Sequence, residues 1–315
     1  MSTGPIVITG ANGFAGRHLT AHLGGRRPLV AWHRPGNGPL ERSVGVEWRE
    51  VDVTDRDGVM RAVEATSPAW VYHLAGAPQV DSSWTNAVPH LRTNVLGTCY
   101  LLDALRELAP TCRVLVVTSA QVYQVSDDPI DEEAPQVPPS PYGLSKLAQD
   151  QLALRAAHED GLDVVVARPF NHTGPGQRPA FAVPGFARQV ARIEAGLDPP
   201  TLRVGNLDAR RDITDVRDVV DAYGMLMESA PAGRPYNICS GRAWRIGDLL
   251  EELLNRSHVA IQVEVDKERL RPNYVAVVQG DATRIRAELG WAPRIPVERT
   301  LSDTLVWWRQ RLQSE

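Results

Sequence analysis

Short apolar runs rich in valine, leucine and isoleucine recur through the first half of the chain, at 5–9, 28–32, about 46–51, 69–75, 113–118 and 162–167. Between them lie segments whose apolar positions return every three or four residues, the spacing of one helix face. Strands without polar alternation are buried on both faces, as in a parallel sheet covered by crossover helices. The pattern predicts an α/β fold built on a doubly wound parallel sheet. After Pro169 the rhythm breaks: NHTGPGQRPAFAVPG has too many glycines and prolines for a long helix or a central strand. A smaller mixed α/β lobe is expected from there. PYNICS at 235–240 reads as a strand returning to the sheet, so the two parts should interleave. Residues 1–169 plus about 212–240 would form the first part, and about 170–211 with 241–315 the second. No internal repeat or low-complexity tract is seen.

The first strand runs into TGANGFAG, where Gly10, Gly13 and Gly16 precede a helix-like GRHLTAHL with Leu19 and Leu23 four apart. A glycine triplet here permits a tight turn, lets backbone approach a pyrophosphate and packs the helix on the strand. The helix then offers free N–H groups and the positive end of its dipole. This context predicts a dinucleotide site. A carboxylate for the adenosine ribose is usual about 20 residues further on in NAD enzymes. None stands between Gly16 and Glu41, whereas Arg17, Arg26, Arg27 and Arg34 do. Single arginines are often only solvated surface. Together with the missing acid, Arg17 and Arg34 point to a 2′-phosphate and so to NADP(H), with NAD(H) still possible.

Composition narrows the partners. The chain has 315 residues, 43% of them hydrophobic, enough for one substantial core and a smaller appended lobe. Its net charge of -4 arises from mixed acidic and basic residues without a basic arm, so neither nucleic acid nor membrane is the expected partner. Cys99, Cys112 and Cys239 have neither metal-ligand spacing nor an even count for a closed disulfide framework, which fits a reducing cytoplasm. No metal site is expected. MSTGPIVITG lacks the pattern of a signal peptide, and no apolar run reaches the length of a membrane span.

Tyr142 and Lys146 in PYGLSKLAQ are four apart at the start of a helical run and therefore share one face. A lysine ammonium beside a tyrosine lowers the phenol pKa from its ordinary value of about 10, toward useful proton transfer. The strand RVLVVTS delivers Thr118 and Ser119 to the carboxyl edge of the sheet, where doubly wound proteins bind ligands. Ser119 can meet Tyr142 there. A lone Tyr-x-x-x-Lys would be unremarkable, but these residues stand beside a dinucleotide turn.

Taken together, TGANGFAG, DVTD, HLAG, TNVLGT, VTSAQVY, PYGLSK, RPFNHTGPG and RRDITDVRD resemble the extended short-chain dehydrogenase/reductase family, also called NAD-dependent epimerase/dehydratases. The resemblance spans nearly the whole chain. It implies a Rossmann domain with a substrate lobe, and Ser119, Tyr142 and Lys146 as the catalytic set. It places Asn12, Phe14, Asp52, Val53, Leu74, Ala75, Gly76, Asn94 and Phe170 along the cofactor, together with Tyr142, Lys146 and the glycine turn. It also implies a homodimer through a four-helix bundle, from about 95–108 and 142–158 of each subunit.

Among the family's reactions, 4,6-dehydratases typically carry acids just after the catalytic Ser or Thr, and here Ala120 and Gln121 stand instead. An amide has no accessible basic state for removing a C5 proton. Gln124 also departs from the glycine usual after Val-Tyr. The second half, including YNICSGRAWRIGDLL and ERLRPN, is similar to GDP-6-deoxy-4-keto-mannose reductases, which pass hydride from NAD(P)H to C4. That similarity implies a GDP-sugar substrate held by Asn171, Val183, Arg188, Arg211 and Arg271. Guanidinium forks suit a diphosphate. Arg210 or Arg217 could instead pair with Asp212, Asp215 or Asp218. The expected function is reduction of the C4 ketone of a nucleoside-diphosphate 4-keto-6-deoxy sugar. A 4-epimerase with retained NAD is the alternative, and a non-catalytic dinucleotide sensor a remote one.

Overall fold

Each of the six apolar runs is a strand: β1 (Ile6–Thr9), β2 (Leu29–His33), β3 (Val46–Glu50), β4 (Trp70–His73), β5 (Arg113–Val117) and β6 (Asp163–Pro169). The structure is a computed structural model that describes residues 4–25, 27–36, 38, 44–78, 80–267 and 275–313. Connecting helices are α1 (Phe14–Leu23), α2 (Arg56–Thr66), the short α3 (Val80–Thr85) and α4 (Val88–Leu91), α5 (Gly97–Leu108) and α6 (Pro141–His158). Beyond β6 the chain forms β7 (Asn171–Thr173), α7 (Ala182–Glu194), β8 (Thr201–Val204), β9 (Arg210–Asp215), α8 (Val216–Ser229) and β10 (Pro235–Ile238). It ends with β11 (Ala243–Arg245), α9 (Ile246–Leu254), β12 (Gln262–Val265), β13 (Val277–Val278), α10 (Thr283–Leu289) and α11 (Val297–Gln313).

The central sheet has the order β10-β6-β5-β4-β1-β2-β3. All its pairs are parallel, and PYNICS does return to it, with Pro235 opposite Val166 in β6. Alternate residues of each strand enter different cores. Ile6, Ile8, Ala31, Leu115 and Val165 pack under α1 and α8, while Val7, Val30, Val71, Val114 and Val164 pack under α2, α5 and α6. That double burial is why the strands read as continuous apolar runs. The strand order reverses between β1 and β4, which opens a crevice at their carboxyl ends.

The second part is organised around β9, which pairs antiparallel with β11 and parallel with β13 and β7. A third core joins α7, α9 and α11, with Phe186, Leu249, Leu301 and Trp308 among its buried residues. Residues expected to belong wholly to this lobe also return to the first core: Ala282, Ile285 and Trp291 pack beside β10 and α8. Cys99, Cys112 and Cys239 are free thiols, and burial pushes all three upward, Cys112 to about 12. Among the described residues no helix is long and apolar enough to cross a membrane.

α6 is fastened to the sheet by a buried ion pair. Asp150 Oδ1 and Oδ2 accept from Arg168 Nε at 2.9 Å and Nη2 at 2.7 Å, and both side chains are essentially inaccessible, 0% and 1% exposed. Thr118 Oγ1 donates to Asp150 Oδ1 at 3.0 Å, bringing β5 into the same cluster. A buried pair of this kind is costly to break one partner at a time. Arg168→Met should lower unfolding stability by about 3–5 kcal/mol because Asp150 is stranded, while adding Asp150→Leu should recover a large part. Urea denaturation of the single and double variants checks both numbers.

Candidate active site

The crevice at β1 is shaped by glycines that no other residue could replace without moving backbone. Gly10 has φ +68°, and a Cβ on it would lie 2.7 Å from Ala75 N. A Cβ on Gly16 would overlap Gly10 O. Gly13 is the N-cap of α1 and presents no side chain, so the first N–H groups of the helix stay open. The cradle fits a dinucleotide pyrophosphate. Asn12 Nδ2 donates to Gly38 O at 3.0 Å beside it.

At the other end, Arg34 is exposed just beyond β2 and acts on Asp52. Burial opposes ionisation of Asp52. Its Oδ1 accepts from Thr54 N at 2.9 Å and Thr54 Oγ1 at 2.8 Å, and these bonds, with Arg34 and Arg92, hold the carboxyl below the usual range. Val53 is buried and would touch a Cβ on Gly97.

Arg17 does not join this end. Its Nη2 donates to Gly176 O at 2.7 Å, His18 Nε2 meets Pro175 O at 2.9 Å, and the Phe14 ring stacks on His172 with centroids 5.9 Å apart. One face of α1 therefore grips the loop after β7, whose carbonyls need donors. Arg27 donates to Gly4 O and lies over the Trp70 ring, and Arg26 lies outside the described residues.

Ser119 follows β5 as predicted, and its Oγ accepts from Gln121 N at 3.1 Å, opening a short helical turn over Ala120–Val122. Ser140 caps α6 by accepting from Gly143 N at 3.0 Å, with Pro141 in the first turn. Tyr142 and Lys146 then lie one turn apart, both buried. The Ser119 side chain acts directly on the Tyr142 phenol, so the structure brings the two together. Burial nevertheless pushes the Tyr142 phenol up to about 12, with Ser119 acting against it. The lowering expected from Lys146 does not prevail. The lysine is committed elsewhere: Nζ donates to Val117 O at 3.0 Å and to Gln149 Oε1 at 2.7 Å, and burial pulls it down to about 7 against the pull of Asp150.

Behind this pair runs a row of polar residues, of which the sequence reading singled out Asn94 but not His73, Thr98 or Gln149. Asn94, where a π-type turn over Arg92–Leu96 interrupts the helix from Val88 to Leu108, accepts from Ala77 N at 2.9 Å and donates to Ser145 Oγ at 2.8 Å. A Cβ on Gly76 would lie 3.0 Å from Asn94 Oδ1 and 3.4 Å from Lys146 Nζ. Leu74 N bonds Thr9 O, and Ala75 N donates to Thr9 Oγ1, so this loop is pinned along the mouth of β1. His73, Thr98 and Gln149 continue inward, with His73 wholly buried and pulled down to about 3 by burial and by Lys146. HLAG, TNVLGT and PYGLSK had marked these segments, but a polar residue on a helix ordinarily reads as solvent-facing.

On the substrate side, Phe170 is buried 6.5 Å from the Tyr123 ring, and the exposed Asn171 pairs with Ile213 at the start of β7. Val183 lies buried in the first turns of α7. Arg211 Nη1 donates to Arg210 O at 2.8 Å and lies on β9 opposite Trp244. Arg188 is turned to the C-terminal helix, its guanidinium 5.7 Å from the Trp308 ring centroid. Helix position alone did not reveal which side of α7 it occupies. Arg217 pairs with Asp215 at 2.7 Å and Asp303 at 2.8 Å, the structural role left open for it. Arg271 lies outside the described residues. No cluster of potential metal ligands occurs among the described residues.

Residues 7–304 match the family model described as GDP-mannose 4,6 dehydratase. The chain is 35% identical over 319 residues to the GDP-6-deoxy-D-mannose reductase of Pseudomonas aeruginosa, covering 98% of this chain and 99% of that protein. The structure of RMD from Pseudomonas aeruginosa complexed with NADPH superposes with TM-score 0.87 at 34% identity, covering 98% of this chain and all of that one. UDP-glucose 4-epimerase of Thermus thermophilus, complexed with NAD, gives TM-score 0.86 at 26% identity, covering 97% and 99%.

His73 makes stability pH-dependent with a definite sign. Its folded value of about 3 lies below the ordinary 6.5, so between these values the unfolded chain binds a proton the folded chain does not. Stability should therefore fall as pH falls, by about 2 kcal/mol from pH 6.5 to 5 through this group. Urea titrations at these pH values should show a slope that His73→Gln flattens.

Proposed function

The chain belongs to the GDP-mannose 4,6-dehydratase family, and from that premise we propose that it is an NADP(H)-dependent reductase of the C4 ketone of a nucleoside-diphosphate 4-keto-6-deoxy sugar. GDP-4-keto-6-deoxy-D-mannose is the first substrate to try, in keeping with the Pseudomonas aeruginosa relative. The observation that carries this reading is the juxtaposition of Ser119 and Tyr142 at the carboxyl edge of the sheet, next to the glycine cradle, with Ala120 and Gln121 following Ser119. A dehydratase needs a base at that point, and a carboxamide is none. The acid set back in the fold, Asp150, is bound by Arg168 and Thr118.

In this reading the glycine turn and Phe14 take the pyrophosphate, Asp52, Val53 and Arg34 the adenosine end, and Leu74, Ala75, Gly76, Asn94 and Phe170 the remainder of the cofactor. Bound NADPH supplies the hydride. Ser119 positions the sugar C4 oxygen by hydrogen bonding, and Tyr142 gives its proton to that oxygen as negative charge develops there. A phenol held at about 12 keeps its proton at neutral pH, which suits it as the acid of a reduction. Lys146 stands one turn behind as the charge that steadies the phenolate left behind. Asn171, Val183 and Arg211 would face the nucleotide sugar.

We assign residues 1–169 with about 212–240 to the cofactor domain and the remainder to the substrate lobe. The protein would work in the cytoplasm as a homodimer, pairing α5 and α6 with their counterparts. Exposed Leu96, immediately before α5, and exposed Leu144 on α6 support that surface.

Anaerobic incubation with GDP-4-keto-6-deoxy-mannose should oxidise NADPH stoichiometrically and yield one C4 alcohol by NMR. A co-purifying NAD, no net oxidation and inversion of a 4-hydroxy nucleotide sugar would establish an epimerase instead. Tyr142→Phe should lower kcat by roughly 100- to 10,000-fold, the range for a lost acid–base group. Arg34→Ala should raise the KM for NADPH by about tenfold or more and leave that for NADH nearly unchanged, as expected when a guanidinium–phosphate contact is lost.

A further inference from the structure

We propose that Gln149 is a positioning residue for Lys146: its side-chain carbonyl, locked in one orientation by Thr98 and His73, fixes the lysine nitrogen beneath the reaction centre and governs whether that nitrogen is charged. The argument starts at Thr98. Its hydroxyl has one proton, which it donates to Asn94 O at 2.7 Å. The oxygen can then only accept from its two other neighbours, Gln149 Nε2 at 2.8 Å and His73 Nε2 at 2.9 Å. With the Gln149 nitrogen committed, its oxygen must face Lys146 Nζ, as it does at 2.7 Å. His73 is correspondingly the neutral Nε2–H tautomer. Its Nδ1 accepts from Thr9 Oγ1 at 2.8 Å, whose oxygen accepts from Ala75 N at 3.1 Å.

Each of these contacts sets a donor against an acceptor, and the pattern works in one direction only. Turning the Gln149 amide over would set its NH2 against the lysine nitrogen and its oxygen against the lone pairs of Thr98. Gln149 and Thr98 are both completely buried, so water is not at hand to repair such a fault. A lysine ammonium has three donors. Val117 O and Gln149 Oε1 take two, which leaves one for the cleft. The titratable and charged groups around the lysine are Tyr142 and Asp150 on its own helix, His73 on β4 and Arg168 on β6, with His90 of α4 edge-on to Tyr142 at 6.1 Å. Asp150 is bound to Arg168, so the dipoles within hydrogen-bonding reach of the lysine are the Val117 and Gln149 carbonyls, and of these Gln149 is the one a side-chain substitution can remove.

The sequence permits a direct test. The chain contains two lysines, Lys146 and Lys267, and Lys267 is exposed. Protein carrying 13C-labelled lysine therefore gives two side-chain titrations by NMR, one for each. Wild-type Lys146 should titrate near 7, with the exposed Lys267 resonance as the internal reference. Gln149→Met removes the acceptor and should lower the Lys146 midpoint by about one to two units, a tenfold to hundredfold loss of proton affinity. Gln149→Glu is isosteric, so it carries the test if the methionine variant fails to fold, and should raise the midpoint by at least about one unit. Midpoints unchanged in both variants, or moved in the same direction, would overturn the proposal.

The consequence for turnover rests on the reductase reading. In NADPH-dependent ketone reduction, the alkaline limb of the kcat profile should follow the NMR midpoint in each form. Midpoints that separate as expected, with no form reducing the ketone at any pH, would leave the role of Gln149 standing and remove the reductase assignment.

Discussion

The active-site geometry depends on an ion pair that lies away from the cleft. Asp150 and Arg168 bury opposite charges where water cannot reach, and a desolvated pair of this kind tolerates little change in geometry. Asp150 is one helical turn beyond Lys146 and two beyond Tyr142, so fixing Asp150 fixes how far those residues rise above β5. Thr118, the residue before Ser119, bonds the same carboxylate. The guanidinium also donates to Tyr123 Oη and Glu132 O, and Tyr123 in turn reaches Asn237 on β10. The loop beyond Ser119 and the last strand of the sheet thus share one anchor with α6.

α6 illustrates why such a helix is hard to interpret from amphipathicity. Its inward face carries Ser145, Lys146, Gln149 and Asp150, all buried, while Leu144 is exposed. Each inward group has partners supplied by other parts of the chain: Asn94 for Ser145, Val117 for Lys146, Thr98 for Gln149 and Arg168 for Asp150. The usual rule that polar positions face water assumes such partners are absent. It fails where the fold brings them from elsewhere.

This contrast decides what was legible in advance. The apolar runs of β1 to β6 and the return of β10 could be read because double burial leaves an unbroken local signature. Gly10 and Gly16 could be read because only glycine satisfies the close contacts around the turn. That Ser119 meets Tyr142, with Lys146 one turn on, could be read from spacing and strand position. Arg17 and Arg188 were expected beside phosphates, but composition does not say which neighbour a helix face will meet, here the carbonyl of Gly176 and the ring of Trp308. The Tyr142 phenol was expected to fall and instead rises, since burial of the site arises from tertiary packing. Residues 279–291 escaped for the opposite reason: Ile285 and Trp291 are apolar enough to suit either core.

The three thiols have a consequence for how the folded chain meets its chemical surroundings. Cys112 lies against the start of β5 and Cys239 just after β10, and strand packing keeps both in the protonated state. Electrophiles and peroxides react with thiolate, which the native molecule hardly presents. The low reactivity this gives Cys112 and Cys239 therefore comes with the packing of the sheet, without any dedicated protective group, and it ends where the sheet comes apart.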